Sequence, residues 1–318
     1  MAEIVSMRKA YGEALVALGK ANERVVALSA DVSNSDFSYM FEAAFPNRFF
    51  NVGIAEQSLV DVAVGFARTG YIPFANTFAF LFATRALEMV RTHLCYGRSN
   101  VKLMGAYAGL SDSFDGPTHH SITDIAILRS LPNMTVVVPS DPVAVAKLLP
   151  KVADWDGPLY FRMNRNEVPV LFDDGYRPEI GKALTLREGK DVAILCCGLM
   201  VGRSLEAAKR LAAEGLEARV IEMHTIKPLD REAVIAAAEE TGALVTAEEH
   251  SIVGALGGAV AEVTAESCPV PVKRVGIADC FAETGPYETL LETYGMGVPQ
   301  IVAAAHAAVR ARQGRHHA

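Results

Sequence analysis

Short apolar runs alternate with longer amphipathic stretches along the whole chain. Runs at residues 25–29, 72–75, 101–104, 135–138 and 159–161 are rich in β-branched or aromatic residues and are bounded by Gly, Pro, Asn or Asp, which is typical of strands. The stretches 8–21, 58–69 and 142–152 have the apolar spacing of helices. Because the strands are apolar almost throughout, the pattern predicts parallel sheets with helices on both faces.

A second α/β pattern follows a polar, turn-rich segment at residues 172–178. Its strands are predicted at 191–197, 218–223, 243–247 and 272–277, and a helix at 202–214 ends before Gly215. We therefore predict an α/β fold with two parallel-sheet domains, residues 1–170 and 189–318, joined by a linker at 171–188.

Composition narrows the class of protein. The 318 residues suffice for two domains, and 51% hydrophobic with 21% charged residues indicates a folded globular chain. A net charge of -7 argues against a nucleic-acid partner, and no apolar run reaches the roughly 20 residues that span a bilayer. The start of the chain lacks the pattern of a secretory signal. Five cysteines in mostly apolar surroundings, with no Cys-x-x-Cys pair, predict a reduced protein in the cytoplasm.

Glu56 stands where a predicted strand at 49–54 meets a predicted helix. Burial of a carboxyl group without a cationic partner favours its neutral form, which can donate a hydrogen bond. The alternative is an ordinary acidic residue in the first turn of a helix, where the helix dipole favours it. Spacing alone leaves both interpretations open.

A second group of polar residues lies on the segment Asp115-Gly116-Pro117-Thr118-His119-His120. The Gly-Pro pair predicts a tight turn that presents an acid and two histidines from one loop. No nearby carboxylate or cysteine completes a usual metal-ligand spacing. A polar surface loop is the simpler alternative.

These two strings resemble those of transketolases and 1-deoxyxylulose-5-phosphate synthases, which use thiamine diphosphate. Asn51-Val52-Gly53-Ile54-Ala55-Glu56-Gln57 is similar to the segment that places a glutamate against the cofactor's aminopyrimidine. The resemblance implies a pyrimidine-binding domain followed by a transketolase C-terminal, Rossmann-like domain. It also implies that Glu56 shares a proton with the pyrimidine ring, while Asp115 contacts the donor's hydroxyl groups and His119 its carbonyl end. His120 stands where the family usually has Gln, so its role is open.

The resemblance assigns three more residues to the cofactor. Phe82 matches the aromatic residue that stacks on the pyrimidine, although packing in a core is the alternative for any Phe in this run. Arg85 stands where transketolases have Tyr and deoxyxylulose-phosphate synthases have Arg. Asp31 matches an acid near the cofactor.

Four residues match the family's sugar-phosphate ligands. Arg8, Ser35 and Arg165 keep the cationic or hydroxyl chemistry that phosphate recognition needs. Tyr107 stands where the family usually has His. A tyrosine supplies no positive charge, so the acceptor need not be a standard pentose or tetrose phosphate.

The resemblance covers nearly all of the chain but only the C-terminal half of a full-length transketolase. The Gly-Asp-Gly string of the diphosphate-binding half, which places Mg²⁺ on the diphosphate, does not occur in the sequence. We expect a separate N-terminal subunit to provide it, in an α2β2 heterotetramer acting on sugar phosphates. The alternatives are the β subunit of a 2-oxoacid dehydrogenase, a deoxyxylulose-phosphate synthase and a non-catalytic scaffold half.

Overall fold

The computed structural model describes residues 3–315, so the outermost residues of the two predicted domains, 1–2 and 316–318, lie outside the described residues. The strands are β1 (Ile4–Ser6), β2 (Val25–Ser29), β3 (Phe49–Asn51), β4 (Ile72–Phe78), β5 (Lys102–Ala106), β6 (Thr135–Val137), β7 (Leu159–Arg162), β8 (Glu167–Pro169), β9 (Leu184–Arg187), β10 (Val192–Cys196), β11 (Ala218–Glu222), β12 (Thr225–Lys227), β13 (Leu244–Ser251) and β14 (Val272–Ile277).

Helices occupy most of the segments between the strands. They are α1 (Met7–Ala21), α2 (Ser33–Asp36), α3 (Tyr39–Ala44), α4 (Glu56–Arg68), α5 (Ala79–Ala83), α6 (Leu87–Met89), α7 (Asp124–Ser130), α8 (Pro142–Asp154), α9 (Met200–Ala213), α10 (Arg231–Thr241), α11 (Leu256–Ser267), α12 (Tyr287–Thr293) and α13 (Val298–Arg315). A 3₁₀ turn at Pro46–Arg48 and a π-helical segment at Val90–Tyr96 complete the set. None of the described helices is long and apolar enough to cross a bilayer.

The first sheet has the strand order β12-β6-β7-β5-β4-β2-β3. All pairs are parallel except β12 with β6, which is antiparallel. The second sheet has the order β14-β13-β10-β11-β9, parallel except at β9. The predicted α/β fold with two mainly parallel sheets is thereby confirmed.

Two edge strands depart from the predicted division into two domains and a linker. β9 lies inside the predicted linker, residues 171–188, and pairs antiparallel with β11 in the second sheet. β12 follows β11 in the chain but pairs with β6 in the first sheet. Because β12 comes from the second domain and pairs in the first sheet, the two domains share backbone hydrogen bonds.

Helix starts follow ordinary capping chemistry. The Ser6 side chain accepts a hydrogen bond from the Lys9 backbone at the start of α1, and Asp141 accepts one from Ala144 at the start of α8. Between these helices and the sheet lies an apolar layer that includes Tyr11, which is fully buried. Side-chain caps and an apolar face together fix both helices on one side of the first sheet.

A buried arginine of the first domain, Arg162, also contacts the second domain. Arg162, at the end of β7, donates to Asp124 of α7 at 2.7 Å and to the backbone carbonyl of Glu249 in β13 at 3.0 Å. Both charged side chains are almost fully buried. Burial pushes the pKa of Asp124 upward, but Arg162 more than offsets this, and the pKa lies below its usual range.

We expect Arg162→Met to lower the free energy of unfolding by about 3–5 kcal/mol, because it leaves the Asp124 carboxylate buried without a cation. Arg231→Met is the matched control, since Arg231 pairs with Glu266 at 2.9 Å on the exposed surface and should cost less than about 1 kcal/mol. Urea unfolding of both variants measures the difference. Equal midpoints would show that the buried Arg162–Asp124 pair contributes no more to stability than an exposed pair.

Candidate active site

The candidate residues gather at the carboxyl edge of the first sheet. Asp31 follows β2, Glu56 follows β3, Tyr107 follows β5 and Arg165 follows β7. Since the carboxyl ends of parallel strands lie at one edge, the topology alone brings these residues together. Arg8, in the first turn of α1, reaches the same place and contacts Tyr107.

Glu56 is the first residue of α4 and only 2% of it is exposed. Residues 52–55 separate it from β3, which is shorter than the predicted strand at 49–54. The Nη1 atom of Arg85 lies 3.3 Å from both Glu56 carboxylate oxygens. Glu56 therefore has a cationic partner in this structure. The pair is long and the Arg85 side chain is 51% exposed, so its interaction with Glu56 is weak.

The aromatic residues of this region are divided between the core and the site. Phe82 is 0% exposed and lies in the main apolar core. Its ring has no exposed face in this structure, and its role as the stacking face stays a prediction. Phe78 and Phe80 are partly exposed, and their ring centroids lie 6.4 and 5.3 Å from that of His119. These two rings face the site instead.

Asp31 lies beside the strand that leads to Glu56. Asn51, the last residue of β3, donates a hydrogen bond to Asp31 at 2.9 Å and accepts one from the Gly53 backbone at 2.9 Å. Asp31 and Tyr107 have backbone φ angles of 64° and 62°. Residues other than glycine in this left-handed region are uncommon and concentrate at functional sites.

The loop after β5 carries Tyr107, Asp115, His119 and His120, and the second domain fixes it in place. Glu249 of β13 accepts a hydrogen bond from the Leu110 backbone at 2.8 Å. A side chain at Gly109, where φ is 62°, would collide with the Glu249 carboxyl group. A side chain at Gly116, where φ is 82°, would collide with Thr284. Both glycines are needed for close approach as well as for their backbone angles.

Two arginines flank the ring of Tyr107. The guanidinium of Arg8 lies 5.1 Å from the ring centroid and that of Arg165 lies 5.0 Å from it. Arg8 also donates to the Tyr107 hydroxyl at 3.3 Å and to the backbone carbonyl of Ser35. Burial lowers the pKa of Arg8, and the nearby Arg165 lowers it further. The structure thus brings together all four predicted phosphate ligands, although Ser35 contributes its backbone here.

Asp112 is a fully buried acid that the sequence interpretation missed. Its Oδ1 atom pairs with Arg165 at 3.0 Å. Burial and the neighbouring Asp115 raise the pKa of Asp112 to about 7. Asp115 itself is exposed. The only signal in the sequence is the position of Asp112 three residues before Asp115, which does not indicate that it faces Arg165.

The two histidines differ in environment. His119 is half-buried, and its Nδ1 atom lies 3.0 Å from the Thr118 hydroxyl. His120 is 6% exposed, and neither of its ring nitrogens has a hydrogen-bond partner among residues 3–315. Burial lowers the pKa of His120, and His119 adds to this effect. His119 is the one positioned beside Phe80.

These residues fit one end of thiamine diphosphate. Glu56 offers a buried carboxyl group whose Arg85 partner is half in solvent, and Phe78 and Phe80 offer aromatic surface at the same edge. A heterocycle with a ring nitrogen needs both features. Across the described part of the chain, no three His, Cys, Asp or Glu residues cluster in a way that could hold a metal ion.

Comparison with known proteins agrees with this geometry. Residues 3–170 match the family described as transketolase, pyrimidine binding domain, and residues 181–301 match transketolase, C-terminal domain. The 6-deoxy-6-sulfo-D-fructose transketolase subunit SqwH of Clostridium sp. (strain MSTE9) is 40% identical over 300 residues, covering 94% of this chain and 93% of that one. Transketolase of Rattus norvegicus is 36% identical over 304 residues, covering 94% of this chain but 48% of its own length.

A solved structure described as a split gene transketolase, inactive beta4 tetramer, has the same fold along its full length. It is 47% identical, with a TM-score of 0.91, and the match covers 97% of this chain and 99% of that chain. The two domains thus follow one another as they do in that subunit. The chain belongs to the transketolase family and matches its split-gene subunits along nearly their whole length.

Proposed function

We propose that this chain is the C-terminal subunit of a thiamine diphosphate-dependent transketolase. It would transfer a two-carbon ketol unit from a ketose donor to an aldose acceptor, with the cofactor held between this chain and an N-terminal subunit. Support comes from the membership of the chain in the transketolase family. Further support is that the chain matches only 48% of the length of the Rattus norvegicus transketolase. The observation that carries the proposal is the buried Glu56 carboxyl group at the carboxyl edge of the sheet.

Glu56 is proposed to place one carboxylate oxygen against the pyrimidine ring nitrogen and to share a proton with it. Arg85 now occupies both oxygens at 3.3 Å. Because Arg85 is half-exposed, it can move into water at a cost of about 1 kcal/mol or less. Helix α4 fixes the Glu56 backbone, so the carboxyl group stays in place when Arg85 leaves.

The other residues orient the reactants around that carboxyl group. Phe78 and Phe80 would cover the ring and exclude water, a role that we propose in place of Phe82. Asp31 would support the loop before Glu56 through Asn51. When bound, thiamine diphosphate supplies the carbanion chemistry of ketol transfer, and the protein supplies geometry and proton position.

The donor is proposed to lie across the loop after β5. His119 would face its carbonyl end and Asp115 its hydroxyl groups, since both lie on the loop that Glu249 holds. Arg8, Ser35, Tyr107 and Arg165 would bind an anionic group at the far end of the sugar. The Clostridium relative is named for 6-deoxy-6-sulfo-D-fructose, which carries such a group.

The partner would contribute the diphosphate site and the Mg²⁺ ligands. We propose an α2β2 assembly, in which two copies of this chain meet two N-terminal subunits. The solved relative described as an inactive beta4 tetramer supports the view that such a chain alone lacks part of the site. The five free cysteines support a reducing, cytoplasmic location.

We expect Glu56→Gln to lower the turnover of the reconstituted pair by at least about 100-fold, because an amide cannot exchange a proton with the ring. Asp61→Asn is the matched control, since it makes the same chemical change on the exposed face of α4 and should leave turnover near the wild-type value. A coupled assay with ketose and aldose measures both. Near-normal turnover of the Glu56 variant would refute the assignment.

A second expectation concerns binding by the isolated chain. Calorimetry should detect weak or no binding of thiamine diphosphate with Mg²⁺ to this chain alone, since it would hold the pyrimidine end only. The mixture with the N-terminal subunit should bind at least about 100-fold more tightly, a difference of roughly 2.7 kcal/mol. Tight, Mg²⁺-dependent binding by the isolated chain would contradict the split site.

A further inference from the structure

Arg8, Ser35, Tyr107 and Arg165 form the donor pocket. Its positive charge is low for the recognition of a phosphate monoester. This inference rests on the proposed function and concerns the far end of the donor. The pocket has two cations, Arg8 and Arg165, and both guanidinium groups lie next to the ring of Tyr107. Tyr107 adds a hydroxyl group and an aromatic face but no positive charge.

Arg165 is already paired inside the protein. Its Nη1 atom lies 3.0 Å from Asp112, whose side chain is 0% exposed, while the Arg165 side chain keeps 34% of its surface open. Within residues 3–315, Asp112 Oδ2 has no hydrogen-bond donor, and Asp115 lies against Asp112. A bound anion at Arg165 would therefore share this cation with a carboxylate that cannot turn away into water.

Arg8 has an acidic neighbour as well. Asp36, the last residue of α2, is fully buried, and burial raises its pKa to about 7, although Arg8 draws it downward. Arg8 Nε is buried and lacks a hydrogen-bond partner in the part of the chain described. Arg8 therefore has an unpaired donor inside the protein, on the same side chain that contacts Tyr107. Taken together, the two guanidinium groups interact with two buried carboxyl groups, Asp36 and Asp112, and Asp115 lies beside Asp112.

A phosphate and a sulfonate at the end of a sugar differ in how much positive charge a binding site must supply. A phosphate monoester carries about -1.5 to -2 at neutral pH because its second pKa is about 6. A sulfonate on carbon has the same tetrahedral arrangement of three oxygens, but it carries a single charge and no proton. Like charges at short range inside a protein repel strongly, so a dianion beside ionised Asp112 is disfavoured more than a monoanion.

We propose that Asp112 is a specificity-determining residue that makes the pocket select a donor ketose ending in a sulfonate over one ending in a phosphate. Asp112 does this by neutralising part of the Arg165 charge. It does not touch the reacting carbons, so it acts on the far end of the donor and not on the chemical step.

The test compares two donors in the complex with the N-terminal subunit, with one aldose acceptor. The donors are 6-deoxy-6-sulfo-D-fructose and D-fructose 6-phosphate, which differ at the terminal group. We expect wild-type kcat/KM to favour the sulfonate by at least about tenfold. In Asp112→Asn, which keeps the shape but removes the charge, that preference should fall by about tenfold or more, mainly through a lower KM for the phosphate.

Asp174→Asn is the matched control, because Asp174 is a fully exposed carboxylate paired with Lys147 away from the pocket. Its donor preference should equal that of the wild type. A wild-type preference for the phosphate, or an unchanged preference in a folded Asp112→Asn, would overturn the proposal. If the variant does not fold, a wild-type preference for the phosphate still overturns the proposal.

L-erythrulose separates this proposal from the proposed function. It is an uncharged ketose too short to place a group at Arg8 and Arg165, so its turnover depends on the ketol-transfer site alone. Turnover of L-erythrulose without a preference for the sulfonate would overturn the role of Asp112 and leave the transketolase function standing. Absence of turnover with all three donors would overturn both.

Discussion

The guanidinium of Arg162 holds the site together although it belongs to no part of it. It binds the carboxylate of Asp124, the backbone carbonyl of Ser121 at 2.9 Å and the backbone carbonyl of Glu249 at 3.0 Å. These contacts connect the end of β7, the end of the loop after β5 and the second domain. Because every charge in this network is buried, its parts cannot separate without leaving an unpaired group in the core. The second domain thereby holds the loop after β5 in place.

The fold was predictable because apolar periodicity is a local property. Strands buried on both faces and helices with one apolar face gave two α/β patterns, and the structure has both sheets mainly parallel. The edge strands β9 and β12 were not predictable, since each is only three or four residues long. Their pairing depends on partners distant in the chain. In β12 that partner belongs to the other sheet.

The part of the candidate site that lies in short sequence motifs was predictable. Glu56 and the loop with Asp115 and His119 could be identified from their neighbours in the sequence, and the sheet brings them to one edge. A short sequence motif does not show in which direction a side chain points. Phe82 points into the core, and the contact of Arg85 with Glu56 depends on the relative position of two segments 29 residues apart. Asp112 was missed for the same reason.

We propose that this chain holds one end of a cofactor and that a partner holds the other end. A structure of the complex with the N-terminal subunit and thiamine diphosphate tests this arrangement. We expect a Glu56 oxygen within about 2.6–3.2 Å of the pyrimidine ring nitrogen, Arg85 turned away, and the diphosphate bound by the partner. A diphosphate held by this chain, or a Glu56 still paired with Arg85 and remote from the ring, would contradict it.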